Sequence, residues 1–215
     1  MSMPTAPPAY PARLDVAYSD QHNRVTTLFR LVLIIPIAVV FGVLTAGATE
    51  TVYDQSGEVV SRTTGGIAAG LFAATLLMIV FRQRYPRWWF DFALELARFG
   101  ARLGTYLALL TDQYPSTVEE QDVHLEIDYP DVERDLNRWL PLVKWLLAIP
   151  HILVLLVLSV GACFAVVFAW FAILITGRYP RGLFDFVVGV SRWWLRVEAY
   201  AFLLVTDRYP PFSLQ

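Results

Sequence analysis

The stretch RYPRGLFDF, Arg178 to Phe186, has a counterpart earlier in the same chain, RYPRWWFDF, Arg84 to Phe92. Other matches follow in the same order in both halves of the chain. They pair Leu14–Asp20 with Leu125–Asp131, Arg30 with Lys144, Pro36 with Pro150, Arg98 with Arg192, Arg102 with Arg196, Tyr106 with Tyr200, and TDQYP at Thr111 with TDRYP at Thr206. Ordered self-similarity indicates an internal repeat. We predict two modules, residues 10–116 and 117–215, after a disordered cytoplasmic tail at residues 1–9.

The composition is typical of a membrane protein rather than a soluble one. Hydrophobic residues make up 56% of the chain, and the mean hydropathy is +0.49, whereas soluble domains are roughly 45–50% apolar with glycine included. A net charge of −2 gives no reason to expect a nucleic-acid partner. The single cysteine, Cys163, excludes a disulfide framework, and its apolar neighbours predict a buried side chain.

Each module contains two apolar segments long enough, or nearly so, to cross a bilayer, which takes roughly 20 helical residues. They cover residues of about 25–48 and 66–82 in the first module, and 139–159 and 161–177 in the second. The polar insertion from Glu50 to Gly66 separates the first pair, and YDQSGEVV within it predicts a hairpin. The second pair is separated only by SVGACF, for which we predict a tight turn.

The third segment of each module predicts an amphipathic helix, at residues 88–111 and 182–206. A third span in each module would invert the second module and place its arginines outside, against the positive-inside rule. With two spans per module, sixteen of the seventeen lysines and arginines lie on one side, and only Arg62 lies outside. We therefore predict that the amphipathic helices lie in the interface plane and that both termini are cytoplasmic.

The predicted fold class is an all-α integral membrane protein with two tandem modules, each of two transmembrane helices and one interfacial helix. The segments ARLDVAY and VHLEIDY, which begin at Ala12 and Val123, alternate with the period of a half-buried strand. Because one strand is not stable alone, we predict that the two pair antiparallel as a small cytoplasmic sheet.

Cationic and aromatic residues around the amphipathic helices predict a surface for anionic lipid headgroups or a partner, since juxtamembrane cations are attracted to an anionic leaflet. The set comprises Arg84, Arg87, Trp88, Trp89, Arg98, Arg102, Arg178, Arg181, Arg192, Trp193, Trp194 and Arg196. Acidic residues on the same helices, Asp91, Glu95 and Asp185, are interpreted as helix caps or ion-pair partners. A cation-binding or acid–base role for the aspartates is the alternative.

Lys144 and His151 form a candidate intramembrane polar site, because they lie seven residues apart on nearly the same face of one apolar helix. Ionisable residues at such a depth are functional candidates, here for a proton or ion path. The alternative is structural: Pro150 frees a backbone carbonyl, which a neutral imidazole can satisfy. Ile37 stands at the position of His151 in the first module, which favours the structural interpretation.

The motifs LAIPHILV, RYPRGLFDF and TDRYPPF resemble those of an uncharacterised family of bacterial, mainly actinobacterial, membrane proteins, a domain of unknown function often present in tandem. The resemblance covers nearly the whole chain after residue 9. It implies a bacterial plasma-membrane location and a tandem architecture, and it implies no reaction.

The chain carries no nucleophile elbow, zinc-protease motif, phosphate-binding loop or dinucleotide fingerprint. We therefore expect no cofactor and no metal, and favour a non-enzymatic scaffold or accessory subunit that binds another membrane protein, its own copies or anionic lipid. One alternative is a small oligomeric channel or transporter that uses Lys144 and His151. Another is a lipid-headgroup enzyme that uses Asp91 or Asp185 with the neighbouring arginines.

Overall fold

A computed structural model describes residues 10–45, 47–53, 59–64, 66–116 and 121–215. The tail at residues 1–9, predicted to be disordered, lies outside these ranges. Across the described residues the chain is mostly helical and has two antiparallel two-stranded sheets. The elements in chain order are β1 Ala12–Val16, α1 Arg24–Leu33, α2 Ile35–Thr45, β2 Ala48–Tyr53, β3 Val59–Thr64, α3 Ile67–Leu77, α4 Arg87–Leu107, β4 Val123–Ile127, α5 Val132–Asp135, α6 Pro141–Thr176 and α7 Arg181–Ala201.

The sheet of β1 and β4 joins the two halves of the chain. The strands pair antiparallel about Leu14 and Leu125, which face each other in the register. Both strands alternate buried and exposed residues, as the sequence pattern predicted. Their buried side chains pack with residues of α4 and α7 in one core. The predicted antiparallel pairing is therefore confirmed, and the sheet covers the two amphipathic helices.

The polar insertion of the first half forms the second sheet. Strand β2 pairs antiparallel with β3, from Ala48 opposite Thr64 to Tyr53 opposite Val59. This arrangement agrees with the predicted hairpin, whose connecting residues 54–58 lie outside the described ranges.

Helix α6 is continuous over 36 residues, about 54 Å at 1.5 Å per residue. The tight turn predicted within SVGACF is therefore wrong, and residues 139–159 and 161–177 do not form two separate helices. That segment contains no proline, and a lone glycine costs only about 1 kcal/mol in a helix. A Cβ atom at Gly161 would contact the Phe186 ring of α7 at 3.5 Å, so packing against α7 stabilises the helix where a turn was expected.

Two opposite stripes run along α6 with helical spacing. One stripe is buried against α7 and includes Ala148, Leu155 and Ala169. The other consists of large apolar side chains exposed on the surface, among them Val157 at 73% and Ile175 at 75%. Cys163 is also exposed, contrary to the prediction that it is buried.

The apolar segments of the first half form shorter helices than α6. Helices α1 and α2 meet at an angle of 41° next to Pro36, where a proline removes a backbone donor. Helix α3 continues into a π-helical turn at Met78–Arg82. Over the described residues, one helix is long and apolar enough to cross a membrane, or two if α1 and α2 form one bent span. Of the predicted spans, 25–48 corresponds to this bent pair, and 66–82 to a shorter apolar helix.

Each nonapeptide forms the connection into an amphipathic helix. Pro86 and Pro180 occupy the position just before α4 and α7. The tyrosines before them, Tyr85 and Tyr179, are buried and accept hydrogen bonds on their backbone carbonyls from the hydroxyls of Tyr129 and Tyr18. The repeated stretch thus anchors each helix start to the segment at the end of a strand.

Helix α7 runs antiparallel along α6. Phe186 lies against Gly161, the Trp194 indole donates to Ser159 Oγ at 2.9 Å, and the Trp193 indole donates to His151 Nδ1 at 3.1 Å. The helices α4 and α7 end at Leu107 and Ala201, earlier than the predicted ends at 111 and 206. In the segment that follows each of these helices, a leucine has a positive φ: Leu109 after α4 and Leu204 after α7.

Candidate functional site

Lys144 is fully buried on the packed stripe of α6. Its ammonium lies 2.7 Å from Asp207 Oδ1 and donates to the backbone carbonyl of Thr206 at 2.8 Å. The ring of Tyr200 lies 5.2 Å away, which adds a cation–π contact. The lysine therefore ties α6 to the Thr-Asp segment that follows α7.

Arg30 makes the corresponding contacts in the first half. One guanidinium nitrogen donates to the carbonyls of Tyr106 at 2.8 Å and Thr111 at 2.6 Å, and the other pairs with Asp112. The side chain of Arg30 is 2% exposed and stacks over the Tyr106 ring at 4.3 Å. The planar fork of arginine serves three acceptors here, whereas the point charge of Lys144 serves two.

Asp112 is surrounded by donors and positive charge. Burial by itself raises the pKa of this carboxyl, but the side chain of His22, the backbone N–H of Asn23 and the charge of Arg30 together hold the pKa below its ordinary value. The Asn23 N–H lies 2.7 Å from Asp112 Oδ2, and His22 Nδ1 lies 3.4 Å from Oδ1. The folded state therefore favours the ionised carboxylate.

This lowered pKa predicts a loss of stability in acid. Because the folded protein holds the carboxylate more acidic than the unfolded chain does, its stabilising effect is complete above the ordinary pKa of about 4. The effect is lost as the pH falls through the lowered pKa. Unfolding midpoints measured from pH 6 to pH 2.5 should fall for the natural protein and fall less steeply for Asp112→Asn. Equal slopes for the two proteins would contradict this role.

His151 lies in an aromatic enclosure on the packed stripe of α6. The ring is fully buried, stacks on Phe212 at 3.9 Å between centroids, and lies 4.7 Å from Tyr209. Since Nδ1 accepts a hydrogen bond from the Trp193 indole, the neutral ring carries its proton on Nε2. Protonating Nδ1 would break that bond. The buried Nε2 makes no hydrogen bond to any described residue, so the imidazole does not donate to the backbone carbonyl that Pro150 frees, and the role of His151 stays a prediction.

The predicted arginine stripes connect secondary-structure elements. Arg98 Nε donates to the Leu125 carbonyl of β4 at 3.0 Å, and Arg192 Nε donates to the Leu14 carbonyl of β1 at 2.8 Å. These contacts bind each amphipathic helix to the strand contributed by the other half. The two arginines therefore donate to the backbone carbonyls of the residue pair at the centre of the sheet, Leu14 and Leu125.

The second arginine of each stripe holds the segment that follows its helix. Arg102 donates to the Ser116 carbonyl at 2.7 Å. Arg196, which is 7% exposed, donates to the carbonyls of Ser213 and Gln215. Arg196 is thus occupied within the fold, which leaves it little capacity for the lipid phosphates assigned to it from the sequence.

Most tryptophans of the predicted binding surface also make contacts within the fold. Trp193 is buried, and the indole nitrogens of Trp89 and Trp194 are bonded to the hydroxyls of Thr75 and Ser159. Trp88 is 69% exposed. Of the predicted tryptophans, Trp88 is therefore the one most available to lipid or a partner.

Four cations of the predicted surface are exposed: Arg84, Arg87, Arg178 and Arg181. Arg84 and Arg87 border a cleft whose lining also includes Asp131 and Glu133. The negative charge of these carboxylates reduces the attraction of that cleft for an anionic headgroup.

The acidic residues of the amphipathic helices do not cap them. No side-chain cap bond is present at Pro86 or Pro180, where α4 and α7 begin. Asp91 pairs with Arg87 at 3.2 Å, and Glu95 pairs with Arg98 at 2.7 Å. Asp185 is exposed, and its carboxylate makes no ion pair within the ranges that the structure describes.

Sequence reasoning missed Asp112 and Asp207, the partners of the two buried cations. A signal was present, because Thr-Asp recurs in both halves just as the cation recurs at Arg30 and Lys144. The described part of the chain holds no group of three His, Cys, Asp or Glu side chains suited to a metal ion. Arg30 and Lys144 are thus two buried cations, and each binds the Thr-Asp segment that follows α4 or α7.

Residues 139–213 match the model of a family described as Domain of unknown function (DUF4389). The matched segment contains α6, α7 and most of the segment after α7, including Lys144, His151 and Asp207. A domain of unknown function is therefore present in the second half of the chain, which agrees in part with the resemblance noted from the motifs. No curated protein and no solved structure matches the chain.

Proposed function

We propose that this protein is a non-enzymatic scaffold or accessory subunit of the bacterial inner membrane. In this role it binds another membrane protein, its own copies or anionic lipid. The observation that carries the proposal is the exposed apolar stripe of α6, which extends along a helix of about 54 Å. Contiguous exposed apolar surface of this extent is typical of a membrane or protein interface.

The environment of α6 supports insertion in lipid. Only 17% of its most apolar 18-residue stretch is buried, so α6 differs from the core helix of a soluble protein, which is largely covered. Exposed apolar residues continue on α1 and α2, for example Leu31 at 72% and Val43 at 74%. Lipid or a partner helix would cover this surface, and transferring it from water is favourable.

The arrangement of α7 and the cations supports an orientation for α6. Arg134 and Arg138 precede α6, and Arg178 and Arg181 follow it. The positive-inside rule places both groups on the cytoplasmic face. Since α6 is unbroken and α7 packs along it with Arg192 and Arg196, we propose that α6 lies within the cytoplasmic leaflet without crossing. The first half crosses twice, through α1–α2 and α3, and both termini stay cytoplasmic.

Corresponding contacts in the two halves support the tandem-repeat part of the proposal. Arg98 and Arg192 each bind a carbonyl at the centre of the sheet, and Arg30 and Lys144 each bind a Thr-Asp segment. Two copies of one module would make such contacts in pairs. A rigid polar layer of this kind is suited to a scaffold, because it holds the apolar helices in fixed positions.

Site-specific photocrosslinking in cells tests the partner. A photoreactive residue at Val157 or Phe164, both on the exposed stripe, should give one protein adduct of discrete mass. The same residue at Glu133, which is exposed near the sheet, is the matched control and should not give that adduct. Homo-oligomer and heterologous adducts are distinguished by epitope tags on two copies.

Two outcomes would count against the scaffold. The first is the absence of any protein adduct from α6 together with a monomer in every mild detergent. The second is equal crosslinking from Val157 and Glu133, since that would mean random collision. The channel and headgroup-enzyme alternatives stay predictions, and the internal contacts of Lys144 and His151 do not favour a path through them.

A further inference from the structure

A cavity of about 820 Å³ lies between the apolar helices of the first half and the two amphipathic helices. Its lining is largely apolar, with Phe41 of α2 and Phe72 of α3 on one side and Trp194 of α7 on another. Small residues of α4, including Gly100 and Gly104, also line it. Volumes of about 300–1,000 Å³ with mostly apolar walls are typical of ligand sites.

One carboxylate lines this cavity, that of Glu198 on α7. The structure gives it no hydrogen bond and no ion pair to any described residue. The hydroxyls that share the lining are already engaged. Thr45 and Ser191 donate to carbonyls of their own helices, and Thr75 accepts from the Trp89 indole. Glu198 is therefore the one carboxylate in the lining of this cavity, and no described residue pairs with it.

We propose that this cavity binds an amphiphile with an apolar body and a protonated amine, whose ammonium pairs with Glu198. The apolar walls match the hydrocarbon body of such a ligand, and the lone carboxylate matches its charge. No lysine or arginine lines the cavity. A carboxylate or phosphate amphiphile would therefore meet a like charge without compensation, whereas an ammonium would form a charge-assisted hydrogen bond.

The electrostatics of Glu198 agree with this choice of ligand. The Glu198 side chain is exposed, but the apolar groups crowded around its carboxyl raise the pKa of that carboxyl, because they disfavour the charged form. A cation within contact distance would reverse that shift and stabilise the carboxylate. The other titratable group of the lining is Tyr85, whose pKa burial raises to about 12, so it stays neutral near pH 7.

Position 104 provides a way to fill the cavity without removing the carboxylate. A Cβ atom at Gly104 would meet nothing within 4 Å, so the side chain of Gly104→Leu can occupy part of the cavity with no clash at Cβ. Gly182 at the start of α7 is equally open and lies outside the lining. Gly182→Leu is therefore the matched control, and Glu198→Gln removes the charge with little change of shape.

The test is calorimetric titration of the full-length protein in maltoside micelles at pH 7.5, with empty micelles subtracted. The probes are octylamine, octanoate and octanol, which share one chain and differ in charge. We expect saturable binding of octylamine with one site, at least tenfold tighter than that of octanoate or octanol. Glu198→Gln and Gly104→Leu should each weaken octylamine binding at least tenfold, and Gly182→Leu should leave it unchanged.

Several outcomes would overturn the proposal. Equal binding of the three probes would mean a generic apolar cavity, and absence of saturable octylamine binding would mean no site. Unchanged octylamine binding by Glu198→Gln would remove the carboxylate from the site. If Glu198→Gln fails to fold, Gly104→Leu decides the matter, because a variant that keeps the carboxylate and still binds octylamine normally excludes this cavity.

Discussion

Lys144→Met is expected to lower the free energy of unfolding by about 3 kcal/mol. Removing one partner of a buried ion pair typically costs about 3–5 kcal/mol, because the other charge is left uncompensated. The lower end applies here, since the Asp207 side chain keeps 20% exposure and can reach water in the variant. The Thr206 carbonyl would also lose its donor.

Denaturant titration in mixed micelles, followed by tryptophan fluorescence, measures this loss. The control is Arg87→Met, which breaks the Arg87–Asp91 pair, whose side chains are 67% and 53% exposed. Exposed pairs contribute about 0–1 kcal/mol, so this variant should unfold close to the natural protein. Equal effects of the two substitutions would show that the Lys144 contact does not stabilise the fold.

Arg30→Met should cost about 3–5 kcal/mol, and Arg30→Lys should cost less, about 1.5–3 kcal/mol. Methionine leaves the carbonyls of Tyr106 and Thr111 without this donor and removes one of the donors to Asp112, which keeps its bond from the Asn23 N–H. A lysine at this position would keep the charge and lose the fork, which resembles the situation of Lys144 with its two acceptors. The difference between the two variants isolates the contribution of the guanidinium geometry.

The same titration with Arg30→Met, Arg30→Lys, Asp112→Asn and the double variant Arg30→Met/Asp112→Asn measures the contribution of the guanidinium geometry and the coupling between Arg30 and Asp112. The double variant should be more stable than the sum of the single substitutions predicts, because contacting charges are coupled. Additive losses would contradict a direct contact. A larger loss for lysine than for methionine would contradict the requirement for a cation.

The strand pairing was predictable from sequence because the same alternating pattern occurs in two short segments, one in each half. Each of the two segments alternates strictly between apolar and polar residues, and neither can be stable alone. The pairing therefore required only that the two halves meet. Its centre at Leu14 and Leu125 is also where the arginines of α4 and α7 donate, a contact that no periodicity reveals.

The continuity of α6 was not predictable from the internal repeat. A polar insertion breaks the corresponding segment of the first half, and the analogy suggested a turn at Gly161. The packing of Phe186 on Gly161 decides against a turn. This contact joins residues that are distant in sequence, so local propensity cannot report it.

The internal contacts of the arginines could not be predicted from the sequence for a related reason. An arginine on the polar face of an amphipathic helix looks the same in sequence whether it meets a lipid phosphate or a backbone carbonyl. Arg196 and Arg192 meet carbonyls of segments that pack on α7. The exposed Arg178 and Arg181 stay candidates for the lipid surface, because they follow α6 directly.

Glu198 had no repeat signal to reveal it, since the corresponding position of the first half is Gly104. The asymmetry itself is informative. Both positions line the same cavity, one with a carboxylate and the other with open space. The proposed ligand site therefore lies at a position where the two halves differ in sequence.

Cysteine accessibility on both sides of α6 shows whether this helix enters the membrane without crossing it, as we propose. In a Cys163→Ser background, single cysteines replace Glu133 before α6, Gly182 after it, and Ser61 in β3 as an external control. Impermeant maleimide should label Ser61→Cys in intact cells, and should label Glu133→Cys and Gly182→Cys only after the membrane is opened. Labelling of positions 133 and 182 from opposite faces of the membrane would mean that α6 crosses it.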